Sequence, residues 1–253
     1  MKNLFTFILA LFTVMQSYAQ EEYNPVADPD AVVQSGNMRF TVLTPQMIRI
    51  QYSSKKVFED RATFAVVNRR LPVPAFTTSE EDGYLYIKTE AVTLKYRTGS
   101  NPTTLRNRPE FLSVTFNMNG HEVVWYPGKD DALNLKGTTR TLDNGRGDSK
   151  RGELENGILS RGGWALIDES ASAKRGDGSR TFAFEPIEEG GMDWAKPLAD
   201  ESATDWYILC YGHDYKKALG DYVKIAEYRC RQTTCSVTGT ANTRDTQPRT
   251  SWT

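Results

Sequence analysis

The stretch LSVTFNMNGHEVVWYP, Leu112 to Pro127, constrains the fold more than any other part of this 253-residue chain. Two runs with apolar residues at alternate positions flank Asn119-Gly120. Alternation at period two sends successive side chains to opposite faces of a strand. An Asn-Gly pair supplies the positive φ angles of a tight turn whose twist matches the strands it joins. The segment therefore predicts an antiparallel hairpin. Similar signals recur on both sides of it. MRFTVLTPQMIRIQYSS, from Met38, reads as two strands around Thr44-Pro45, with Met47, Arg49 and Gln51 alternating against Ile48, Ile50 and Tyr52. FAVVNRRL, from Phe64, reads as another strand-like apolar run, and YLYIKTEAVTLKYRT, from Tyr84, as a pair of short strands preceded by the turn Glu81-Asp82-Gly83. GILSRGGWALIDES and DWYILCYG are later apolar runs bounded by glycines and charges. Many short strands with turn chemistry between them predict a mostly β protein, a β-sandwich.

One segment has helical character. From His213 to Ala226, residues Tyr215, Ala218, Leu219, Tyr222, Val223 and Ala226 recur at three- and four-residue spacing, and Asp214 is placed to cap the start. Before the strands, Gln20 to Gln34 is polar with prolines at 25 and 29 and reads as a leader or edge segment. Two glycine-punctuated polar stretches, Lys129 to Asp148 and Ala171 to Arg180, are too long for hairpin turns. Long loops on a β scaffold are where function concentrates.

The two ends of the chain differ from its middle. Lys2, the apolar run Leu4 to Val14, and Ser17-Tyr18-Ala19 have the layout of a secretory signal peptide cut after Ala19. The run is too short to span a bilayer. Residues 1–19 are therefore expected to be a signal peptide, 20–212 a β-sandwich and 213–226 a helix, and the protein is expected to be secreted or periplasmic. Residues 227–253 are rich in Thr and Arg, have no hydrophobic period, and hold two of the three cysteines.

Composition excludes several functions. A net charge of −1, with 39% hydrophobic and 25% charged residues, fits a soluble globular protein and gives no electrostatic basis for nucleic-acid or membrane binding. Cys210 lies in an apolar strand and reads as a buried small hydrophobe, while the Cys230 to Cys235 spacing with no nearby His does not make a zinc site. No metal or cofactor is expected. His121 follows a turn and His213 starts a helix, so neither suggests a base or a ligand. Trp125, Trp164, Trp194 and Trp206 have the chemistry to stack on sugars but read as core residues. Arg146-Gly147-Asp148 matches an integrin-binding tripeptide by coincidence. No P-loop, dinucleotide fingerprint, nucleophile elbow or zincin motif occurs.

Three blocks in order, NLKGTTRTLDNGRGD, NGILSRGGWALIDES and DWYILCYGHDYKKALGDYVKIA, resemble the N-terminal part of glycoside hydrolase family 31, the family of α-glucosidases and α-xylosidases. The likeness covers Asn134 to Ala226, and the pair Gly157–Ser170 and Asp205–Ala226 is its most specific part. It implies a galactose-mutarotase-like β-sandwich followed by a (β/α)8 barrel. In such enzymes the barrel holds both catalytic aspartates, a retaining pair about 5 Å apart. No catalytic residue is then expected before Ala226.

The tail fits this resemblance when read one base out. Thr supplies AC to each shifted codon, Gly239 supplies GG, Ser236 supplies TC and Val237 supplies GT. From Glu227 the shifted frame permits the protein sequence GIPLPPNYVFGYWYSKY, similar to the segment that opens the family's barrel. Residues 227–253 are accordingly expected to be a frameshifted, disordered tail.

The resemblance makes Asp143, in RTLDNGRGD, the first candidate for substrate binding, since a sandwich loop of the family reaches the active-site mouth and a carboxylate suits sugar hydroxyls. As a bare sequence, Asp-Asn-Gly is a turn with Asp143 as local acceptor. Arg146 and Asp148 share the loop. The expected function is that of the N-terminal sandwich of a secreted α-glycosidase whose partner is an α-linked oligosaccharide. Two other readings are a stand-alone carbohydrate-binding module and a structural surface protein that binds no sugar.

Overall fold

The computed structural model of the protein describes residues 24–137, 156–170, 181–186 and 193–226. The expected signal peptide and the tail from residue 227 lie outside the described residues, as do both long loops over most of their length.

The architecture is a β-sandwich. The first sheet contains β1 (Val32–Ser35), β2 (Met38–Thr44), β3 (Met47–Tyr52), β10 (Ala165–Asp168) and β13 (Thr204–Leu209), in the order β1-β2-β3-β13-β10. The second contains β5 (Phe76–Glu81), β6 (Tyr84–Thr89), β7 (Val92–Arg97), β8 (Leu112–Met118) and β9 (His121–Trp125), a meander in sequence order. A third, small sheet joins β4 (Ala62–Thr63), β11 (Ala183–Pro186) and β12 (Asp193–Lys196). All pairings are antiparallel. The Asn119-Gly120 hairpin forms as expected, with positive φ at both residues (53° and 83°) and Met118 opposite His121.

Alternation explains the main core. Phe40, Ile48, Ile50, Trp206 and Ile208 point from the first sheet onto Leu85, Ile87, Leu94, Val114 and Trp125 of the second. Trp125 and Trp206 meet edge to face at 6.3 Å between ring centres, so the tryptophans at 125, 164 and 206 are core residues, at most 5% exposed. Burying a side chain such as Ile87 or Leu94 stabilises the fold by about 1.5–3 kcal/mol.

The first sheet is buried on its other face as well, which is why β3 is buried from Met47 to Gln51. One half of that face is apolar. Met47, Tyr207 and Leu209 pack with Ala218 and Ile225 of helix α1 (Tyr215–Ala226). Asp214 caps this helix, its Oδ1 accepting from the Lys217 amide at 3.1 Å. The other half is ionic. Arg49, 1% exposed, donates to both oxygens of Asp205 and to the Glu59 carbonyl. Arg39 forks onto Asp60, and Arg61 bridges Glu59 and Glu185. Arg69 donates to the Tyr207 hydroxyl at 2.7 Å. Burial pushes that hydroxyl up to about 12, even though the two neighbouring arginines pull it down.

Two expectations are corrected. The run Phe64 to Leu71 is not a strand: its amides at Val67 and Asn68 donate to the Ile225 carbonyl, so it closes the C-terminal end of α1. The buried residues of α1 are Ala218, Asp221 and Ile225, with Tyr222 half-buried beside them, whereas Leu219 and Val223 are 44% and 49% exposed. Cys210 is buried as expected, and burial raises its thiol well above the usual range.

Candidate functional site

Asp143, Arg146 and Asp148 lie outside the described residues, and so does Trp194's side chain. What the structure describes is the base from which the 138–155 segment departs. Leu135 donates its amide to the Leu159 carbonyl and Arg161 to the Leu133 carbonyl, both at 3.0 Å, around an isolated antiparallel bridge between Asn134 and Ser160. Side chains reinforce this short ladder. Asp131 accepts from the Ser160 hydroxyl at 2.6 Å and from Asn134 Nδ2 at 2.7 Å. Asn134 Oδ1 accepts the amides of Lys136 and Gly157, each at 2.8 Å, and its Nδ2 also reaches the Gly157 carbonyl at 3.0 Å.

Asp131, Asn134 and Ser160 are all buried, and together they satisfy one another's polar groups. Such a closed set holds both limbs of a loop in one register. Gly157 is required by proximity: a Cβ there would stand 2.9 Å from the Lys136 carbonyl oxygen. Sequence reading passed over Asp131, Asn134 and Ser160 as site-forming residues. Asn134 falls between Leu133 and Leu135, both exposed, so hydropathy gave no sign that the polar residue was the buried one.

A second feature lies on the outer face of the second sheet. The β6–β7 turn and strands β7, β8 and β9 surround a shallow cleft of about 230 Å³ whose rim includes Glu90, Thr93, Thr115, Asn117 and Glu122. These positions follow from register. Thr93 faces Thr115, and Asn117 faces Glu122. The turn at Glu90 is fixed by Thr89, whose hydroxyl donates to the Pro45 carbonyl and accepts the amides of Ala91 and Val92. Sequence reading missed this cleft too, because it is assembled from three strands.

Among the described residues no group of three or more His, Cys, Asp or Glu side chains is placed to hold a metal ion, and no helix is long and apolar enough to cross a membrane. His213 Nε2 donates to the Arg161 carbonyl at 3.0 Å.

No family model and no curated protein matches the chain. Solved structures similar to it include a GH31 dextranase of Flavobacterium johnsoniae complexed with glucose and a mutant of that dextranase complexed with isomaltotriose. Each is 13% identical, with a TM-score of 0.43 over 81% of this chain and 28% of the dextranase. The chain thus spans about a quarter of the length of those structures.

Proposed function

We propose that this chain is the N-terminal β-sandwich of a secreted family 31-like glycosidase acting on α-linked glycans, and that it supplies scaffold and a substrate-facing loop, not the catalytic carboxylates. One observation carries the reading. The two most specific blocks of the resemblance, Gly157–Ser170 and Asp205–Ala226, are neighbours in space as well as in motif order. Their strands β10 and β13 pair from Ala165–Leu209 to Asp168–Trp206, and β13 runs on into α1. The third block begins at Asn134, in the clamp that pins the base of the 138–155 segment. A pinned base suits a loop that must present Asp143, Arg146 and Asp148 to a substrate, because binding geometry depends on support beneath the contacting residues.

Two measurements test the reading. The purified chain is expected to show no turnover of nitrophenyl α-glucoside or α-xyloside; measurable hydrolysis would overturn the assignment of catalysis elsewhere. The DNA across codon 226 is expected to encode the Gly-Tyr-Trp-Tyr run one base out of frame. A stop there, or no such run, overturns the proposed continuation into a barrel.

A further inference from the structure

We propose that the cleft on the outer face of the second sheet binds one residue of a neutral glycan, a contact made by the sandwich itself that does not rest on the family reading. The argument starts from which side chains face outward. Tyr84, Tyr86 and Lys88 of β6, Thr93, Lys95 and Arg97 of β7, and Thr115, Asn117 and Glu122 beyond them share that face, because their neighbours in each strand are in the core.

Their hydrogen-bonding capacity is largely unspent. Among the described residues, no donor or cation meets the carboxylates of Glu90 and Glu122, and no partner meets the hydroxyls of Thr93 and Thr115. Asn117 uses its Oδ1 for the Gly120 amide at 2.9 Å and keeps its NH₂ as a donor.

The mixture selects the ligand class. A small cation would use the two carboxylates but leave the amide and hydroxyl donors idle. An anion would meet the two glutamates. A polyhydroxylated neutral molecule offers donors to the carboxylates and acceptors to Asn117 and the threonines.

Tyr86, one residue pair along the same face, lies beyond the cleft with the Lys88 ammonium 5.7 Å from its ring centre, so the polar rim alone carries the recognition. Lys95 lies over the rings of Tyr84 and Tyr86, 4.1 and 5.9 Å from their centres, and holds that pair in place. The volume of about 230 Å³ is below the ~300–1,000 Å³ of drug-sized pockets, which suits a single sugar ring. Strand-borne residues and the Thr89-locked turn give the cleft its shape before any ligand arrives.

The test is a titration of the full ¹⁵N-labelled chain with glucose and isomaltotriose to about 50 mM, followed by amide shifts. The expected result is saturable shifts at Thr93, Thr115, Asn117 and Glu122 with a Kd of about 1–10 mM. Glu90→Ala/Glu122→Ala, at exposed positions, is expected to weaken binding about tenfold or more while its melting temperature stays unchanged. Three results overturn the proposal: no shift at the cleft with either sugar, equal affinity in the double variant, or a cleft response to calcium chloride or methylammonium in place of sugar. Any of these leaves the scaffold reading standing, since that reading is judged by hydrolysis and by the DNA.

Discussion

Arg49 and Asp205 meet as a two-pronged pair between β3 and β13, Nε to Oδ1 at 2.8 Å and Nη2 to Oδ2 at 2.5 Å, with side chains 1% and 6% exposed. Burial alone would pull the guanidinium's pKa down; Asp205, with smaller help from Tyr207 and Asp60, more than reverses this. Removing one partner strands the other charge in the interior. Arg49→Met is expected to cost about 3–5 kcal/mol in urea unfolding, and adding Asp205→Ala to recover about 1 kcal/mol or more. A single-variant cost below about 1 kcal/mol would show that water reaches the pair and that the interior here is not dry.

Asp200 makes the acid limb of stability. Burial pushes its carboxyl up, but the hydroxyls of Ser202 and Ser53, the Ser202 amide and Lys55 outweigh it and bring the folded value to about 2, from an ordinary 3.8. A depressed folded value stabilises above the unfolded pKa and is lost as pH falls through the folded one. Stability should therefore drop by about 2 kcal/mol between about pH 4 and pH 2 from this group. Glu59 is shifted in the same direction. Asp200→Asn is expected to flatten that part of the pH profile in guanidinium titrations; an unchanged slope would refute the assignment.

Asp168 has the opposite sign. Burial raises its carboxyl, helped by the charge of Asp205, although Ser170 and Trp206 donate to it. A raised folded value favours the protonated form, so its contribution is present in acid and lost as pH rises through the carboxylate range. Asp168→Asn keeps an oxygen for the Ser170 amide without the charge. The variant is expected to melt higher than the parent at pH 7 and equal to it near pH 3. A lower melting temperature at both would mean that the carboxylate's bonds outweigh its desolvation.

What the sequence showed, and what it hid, follows one physical line. The Asn119-Gly120 hairpin, β2 with β3, β6 with β7, and α1 were all legible, because each writes its period or its turn into adjacent residues. Strand β5 was not, since Thr77, Thr78, Ser79, Glu80 and Glu81 are exposed and an exposed edge needs no apolar alternation. Phe64 to Leu71 looked like a strand because it is an apolar run, but of its apolar residues only Ala65 and Val66 are buried, and the amides of Val67 and Asn68 go to a helix end. Leu219 and Val223 read as core by spacing, yet the Tyr211 hydroxyl, itself bonded to Thr44, reaches α1 at Asp221, turning a charged residue inward. The clamp was hidden for a related reason: Asn134 meets Gly157 across 23 residues, and long-range polar contacts leave no local period.

That inward turn of α1 is testable. The Tyr211 hydroxyl lies 3.0 Å from both Asp221 Oδ2 and Thr44 Oγ1. Tyr211→Phe leaves the Asp221 carboxylate short of a donor and is expected to cost about 1–3 kcal/mol, with faster hydrogen exchange across Tyr215–Ala226. Leu219→Ser, on the exposed side, should change stability by less than about 0.5 kcal/mol. Equal costs for the two would mean that the helix docks by a different face.

The clamp beneath the 138–155 segment gives the sharpest separation between local and global effects. Asn134→Ala deletes four hydrogen bonds at once and, among the described residues, leaves the Asp131 carboxylate with Ser160 alone. Its neighbours sit at the sandwich's margin, where water can partly replace what is lost, so the global cost should stay near 1–3 kcal/mol. Locally the effect should be larger. The amides of Leu135 and Arg161 close the ladder, and their hydrogen-exchange protection is expected to fall at least about tenfold while Ile48 and Leu94 keep theirs, as expected for opening of one region and not of the whole domain. Gly157→Ala should do the same by a different route, its new Cβ pressing on the Lys136 carbonyl. If both variants instead lower protection evenly through the two sheets, the clamp is part of the sandwich's cooperative core and not a separate mount for the loop.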